Sequence, residues 1–163
     1  MKNKDYPYVE PCLGCFENTL MGFSDEPGSV TFMSTGDFSL KRILRAFGRL
    51  MHGSDLLLCL FYLNAGTLEL LQEMLQEGHF KSVSVLYCQS DHNGLSTSNG
   101  DKCLRLVQTR INTCLVSAEN DARMVTLCGN ISQTSTYCLE LFTLINDNEQ
   151  QTAIRRALLR KFN

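Results

Sequence analysis

Hydrophobic and polar positions alternate with two different periods along this chain. Residues 29–34 (SVTFMS) are β-branched and aromatic, which predicts a short strand. Thr35, Gly36 and Asp37 make a turn. Leu40, Ile43, Leu44, Phe47 and Leu50 then recur at helical spacing, with Lys41, Arg42, Arg45 and Arg49 opposite, and Gly53 closes the helix. Residues 55–63 (DLLLCLFYL) are apolar on both sides of a two-residue repeat, as a doubly covered central strand requires. A second helix is expected over 67–76, stopped by Gly78, and a third strand over 82–88 (SVSVLYC).

Residues 89–102 are polar and carry two Asn-Gly pairs, so they read as a loop. Strand-like runs follow at 104–108, 111–116, 124–128 and 137–145. The last helix begins near residues 146–148. Its apolar face is read as Ala153, Ile154, Ala157 and Leu158, and its wet face as Arg155, Arg156, Arg160 and Lys161. Strands and helices alternate first, which implies parallel pairing with right-handed crossovers. The later strands follow closely, which implies hairpins. The expected fold class is therefore α/β: a mixed, mostly parallel sheet flanked by helices on both faces.

Residues 1–28 contain all three prolines and three glycines without periodic spacing, and read as an irregular N-terminal arm before a single domain at 29–163. The chain has 163 residues, a length that suits one domain. No apolar run approaches the ~18 residues of a membrane span, and the start lacks the apolar stretch of a signal peptide. A cytoplasmic protein with no membrane partner is expected. The net charge of -2 argues against a strongly basic nucleic-acid footprint, although a local patch is compatible with it.

Eight cysteines are present, five of them in apolar stretches where a thiol behaves as a small hydrophobe. Cys12-x-x-Cys15 has the spacing of a zinc or thiol-exchange pair, but no second pair completes a zinc site. No metal or cofactor is expected. His52 and His79 fall near helix ends and His92 falls in the polar loop. No nucleophile elbow, phosphate-cradling loop or dinucleotide fingerprint occurs.

Two segments carry the candidate chemistry. Gln108 and Arg110 stand two apart, and so share one face of a strand. Cys128-Gly129-Asn130-Ile131-Ser132 runs from a strand into a glycine turn that offers backbone N–H groups and short polar side chains to an anion. Two such strand ends side by side would form one polar pocket.

The second segment resembles the strand-end motif of the phospholipase D-like superfamily, in which a preceding strand carries His-x-Lys and a later strand supplies a glutamate. Glu140 matches the glutamate. The alternating first half is similar to the single-motif bacterial and phage branch. At the His-x-Lys position this reading places Gln108-Thr109-Arg110. The family's reaction attacks phosphorus with an imidazole and uses a second histidine as general acid, and a carboxamide serves neither step. Arginine retains the charge and can hold phosphate bidentately. The resemblance thus implies a catalytically inactive domain that binds phosphate-containing ligands or nucleic acid, or serves assembly, with Gln108, Arg110, Asn130, Ser132 and Glu140 as ligand-binding residues. It also implies a homodimer. The alternatives are an active phosphodiesterase or nuclease with a rearranged site using His92, and a purely structural partner-binding protein.

Overall fold

A computed structural model describes residues 28–34, 39–91, 103–129, 131 and 140–163. Its elements are β1 (Ser29–Ser34), α1 (Leu40–Leu50), β2 (Ser54–Leu63), α2 (Ala65–Gln76), β3 (Phe80–Ser90), β4 (Leu104–Gln108), β5 (Leu115–Glu119), β6 (Met124–Gly129), β7 (Glu140–Ile145) and α3 (Asn148–Leu159). A short 3-10 turn, Arg160–Phe162, ends the chain. The seven strands form one sheet in the order β1-β7-β6-β5-β2-β3-β4.

The mixed α/β sheet with helices on both faces is as expected, but its balance is not mostly parallel. Only β2–β3 and β3–β4 pair in parallel, and the other four pairs are antiparallel. The cause is connection length. A parallel neighbour needs a crossover, which α2 provides between β2 and β3. Between β5 and β6 only residues 120–123 intervene, where Asn120 Oδ1 accepts from the N–H groups of Ala122 and Arg123, so the chain must turn straight back.

Helix boundaries follow from capping. Ser39 accepts from Arg42 N–H to start α1, and Asn64 accepts from Thr67 N–H at 2.7 Å to start α2, two residues earlier than the pattern predicts. Gly53 and Gly78 take left-handed φ of 70° and 75° just past α1 and α2, which lets each helix feed directly into the next strand. The main core lies between α1, α2 and one sheet face, and contains Phe47, Leu44, Leu71, Leu58, Val85 and Leu127. A smaller cluster on the opposite face sets Leu57, Cys59, Leu86 and Leu115 against Ile154, Leu158, Leu159 and Phe162 from α3 and the following turn.

The underside of α3 departs from the expected face. Gln151 and Arg155 are buried, whereas Ala153 and Ala157 are exposed. The sheet beneath explains it, because β5 and β6 present Ser117 and Thr126 there. Arg155 Nη1 donates to both the carbonyl and hydroxyl oxygens of Ser117 at 3.0 Å, and Nη2 donates to the Asp55 carbonyl at 3.3 Å. Thr126 Oγ1 donates to Gln151 Oε1 at 2.8 Å, so Ser117, 2.9 Å away, must donate its proton to Thr126. Gln151 Nε2 donates to the Met124 carbonyl at 3.0 Å. Glu119 completes the arrangement as an ion pair with Arg155 Nε at 3.0 Å. Burial lowers the Arg155 pKa, and Glu119 and Asp55 oppose that effect.

Candidate functional site

Because β1, β6, β3 and β4 all run in the direction of β2, their carboxyl ends share one edge of the sheet, together with the amino ends of β5 and β7. This is the edge where open α/β sheets expose strand ends to ligands. The segments carrying Gln108, Arg110, Asn130 and Glu140 all reach it. Asn130 and Ser132 lie outside the described residues, and Glu140 is described only as the first backbone position of β7.

The edge does not bring the two halves of the predicted pocket side by side. β4 is the outermost strand, and β3, β2 and β5 stand between it and β6. At the usual interstrand spacing Gln108 and Gly129 are separated by about 19 Å. Arg110 is also not a strand residue, since β4 ends at Gln108 and residues 109–114 are irregular. Gln108 is exposed and its Nε2 donates to the Cys88 carbonyl at 3.1 Å, which ties it to β3.

The strand that lies against β6 is β5. Leu115 pairs with Cys128, and Gly129 N–H donates to the Cys114 carbonyl at 3.3 Å. Ile131 is buried in the main core, and its N–H donates to the Gly129 carbonyl at 3.1 Å. Gln108-Thr109-Arg110 therefore does not stand beside Gly129, where the neighbouring strand is β5. Thr113, Cys114, Leu115 and Val116 stand there instead, and residues 109–119 contain no histidine or lysine. The strand expected at 111–116 lies instead at 115–119, because 104–108 and 111–116 both look strand-like and only closure of the hairpin onto β6 fixes which residues pair.

Thiols occupy this position. Cys59 on β2 neighbours Leu115, which in turn neighbours Cys128. Burial first, then proximity to Cys114 and Cys128, pushes the Cys59 pKa up to about 12, and burial raises that of Cys128. Both are therefore neutral thiols at physiological pH, weak as nucleophiles and as metal ligands. Among the described residues no three His, Cys, Asp or Glu side chains are placed to hold a metal ion.

The described histidines lie at the opposite edge. His52 precedes β2 and His79 precedes β3, with ring centroids 5.9 Å apart. The ten residues of β2 put them roughly 30 Å from the carboxyl ends of the strands. His79 Nε2 pairs with Glu77 at 3.2 Å. Cys12, Cys15 and His92 lie outside the described residues.

The candidate edge has its own electrostatics. Both α1 and α2 start there, and neither has an acidic residue in its first turn. Lys41 and Arg42 instead occupy the first turn of α1, exposed, where a cation opposes the helix dipole by roughly 0.3–1 kcal/mol.

No protein-family model and no curated protein sequence matches the chain. Solved structures do match in fold. A phospholipase D family member, Nuc from Salmonella typhimurium, superposes with a TM-score of 0.50 at 11% identity, over 85% of this chain and 95% of Nuc. Polyphosphate kinase from Porphyromonas gingivalis also gives 0.50 at 11% identity, over 74% of this chain. The chain spans only 20% of the length of that kinase. The fold is phospholipase D-like. No helix among the described residues is long and apolar enough to cross a membrane.

Proposed function

We propose that this chain is a phospholipase D-like domain without phosphohistidine chemistry, acting as a homodimeric binding or assembly module for phosphate-containing ligands, nucleic acid among them. One observation carries the reading: the strand end against Gly129 presents Cys114 and Leu115. A leucine can neither attack phosphorus nor protonate a leaving alkoxide, and a thiol is not the imidazole that both steps of that chemistry use. Val116 is fully buried, so that position offers no cation to a phosphate. Ligand capture then falls to the exposed groups of the edge, Lys41, Arg42, Gln108 and Arg110, with Asn130, Ser132 and Glu140 in the adjoining segments.

The test is hydrolysis of bis-p-nitrophenyl phosphate and of a fluorescent oligonucleotide, with and without chelator, alongside light scattering. We expect no turnover above buffer, no change in His92→Ala, and a mass twice the 18.4 kDa of one chain. Turnover that disappears in His92→Ala rejects the proposal in favour of a rearranged active site.

A further inference from the structure

A cavity of about 330 Å³ lies at the edge of the sheet opposite the carboxyl strand ends. One wall is the closed end of the β5–β6 hairpin, where Glu119 pairs with Met124, and the other is α3. Thr152, Arg156 and Arg160 follow one another at four-residue spacing and so form one stripe on that helix. Arg160 continues the stripe because its backbone stays helical, at φ -60° and ψ -19°. Met124, 8% accessible, and Leu159, which packs against the second core cluster, give the cavity an apolar lining. The Asn163 side chain completes it.

The charges around this cavity do not balance. Arg155 is 5% accessible, and its Nη1 and Nη2 donate to the sheet. Its Nε has no aligned acceptor, since Glu119 Oε2 lies 3.0 Å away but off the line of the N–H bond. Arg155 and Glu119 both line the cavity, so this unsatisfied donor borders it. Glu119 answers the charge of Arg155. Arg156 and Arg160 are exposed, and neither pairs with a described acid. Like charges four residues apart on a helix repel each other. The helix dipole favours cations at this end of α3 but selects no side of the helix. Both cations fall on the side that carries the hydroxyl and the apolar lining.

Two guanidinium groups without counter-charge call for two negative charges, which they can hold through charge-assisted, bidentate hydrogen bonds. Met124 and Leu159 call for an apolar body on the same molecule. Ligand pockets run from about 300 to 1,000 Å³, so this one suits a ligand of roughly one ring. We infer that Thr152, Arg156 and Arg160, with Met124 and Leu159, bind a small organic dianion, a dicarboxylate or a phosphomonoester. The site is at the other edge of the sheet from the groups in the proposed function and does not depend on that reading.

The experiment is calorimetric titration of the full chain at about pH 8, where a phosphomonoester, with its second pKa of ~6, is a dianion. The probes are isophthalate, phenyl phosphate, benzoate, benzyl alcohol and inorganic phosphate. We expect at least one of the two organic dianions to bind, to raise Tm and to bind less tightly with added salt. The tighter of the two names the headgroup. Benzoate binds at least tenfold more weakly, and benzyl alcohol does not bind. Arg156→Gln and Arg160→Gln each raise Kd about tenfold, as loss of a hydrogen bond to a charged group does. Thr152→Val, which keeps the shape and removes the hydroxyl, raises it severalfold. Arg45→Ala removes one exposed cation from α1, on the other face of the sheet, and changes nothing. The site is rejected if neither dianion binds, if benzyl alcohol binds as well as they do, or if inorganic phosphate binds as tightly as phenyl phosphate. It is also rejected if a dianion binds with the same affinity to both arginine variants, because that ligand then sits elsewhere. The last result leaves the proposed function untouched, whereas turnover in the hydrolysis assay overturns the proposed function and leaves this site untouched.

Discussion

Cys114 and Gly129 close the open end of the β5–β6 hairpin, the Gly129 N–H donating to the Cys114 carbonyl over 3.3 Å. A His-x-Lys pair beginning at Cys114 would put its lysine at Val116, in the main core. Cys114→His should therefore fold and remain without phosphodiesterase activity. Val116→Lys should lower stability by about 3 kcal/mol or more, because it buries an unpaired ammonium. Chemical denaturation and the hydrolysis assay check both. Turnover in the Cys114→His variant would show that the site needs only an imidazole.

Arg155 joins α3 to β2 and β5 through Asp55, Ser117 and Glu119. Arg155→Ala leaves the Ser117 and Asp55 carbonyls short of a donor and Glu119 without its cation. A loss of about 3 kcal/mol is expected, discounted from larger values because Glu119 is half exposed. Urea unfolding measures it. A change below about 0.5 kcal/mol would mean that the arrangement is not needed for stability.

The raised pKa of Cys59 gives stability a pH dependence of definite sign. The folded thiol titrates at about 12, but once unfolded it returns to the ordinary range near 8.5. Below that range both states hold the proton and stability is complete. As pH rises toward 12, only the unfolded chain releases it, and stability falls. Tm should drop between pH 8.5 and 10.5, and Cys59→Val should flatten the slope without removing the part due to Cys128. An unchanged slope in Cys59→Val would assign the alkaline loss to other groups.

Asn64 caps α2 through Thr67 N–H. Asn64→Ala should cost about 1 kcal/mol and lower Tm by roughly 2–4 °C. Asn64→Asp should restore most of it, since a carboxylate accepts the same hydrogen bond.

How far the sequence discloses this molecule depends on the distance over which each feature is decided. Every helix and strand recovered from the pattern is set by neighbours a few residues away: the Leu40–Leu50 periodicity, the all-apolar core of β2, the stop at Gly78. Sheet order is set by pairings across the whole chain. Nothing local reveals that β4 is an edge strand and β5 an interior one, or that β5, three strands from β4 in the sheet, is the strand that lies against β6. The α3 face is hidden for a related reason: the apolar pattern points Ala153 and Ala157 inward and Arg155 outward, but the surface awaiting the helix is a strip of hydroxyls and carbonyls at Ser117, Thr126 and Asp55. The homodimer and the arm at residues 1–28 rest on resemblance and composition alone.

The Arg155 arrangement also bears on how the chain is made. The side chain is bonded to Asp55, one hundred positions earlier, and to Ser117, thirty-eight earlier. During synthesis β2 and β5 leave the ribosome well before α3 does. Until that helix emerges, Leu57, Cys59, Leu86 and Leu115 have no cover on their face. A nascent chain stalled before residue 148 would carry a sticky, half-dressed sheet, and this is the interval in which it should depend most on chaperones.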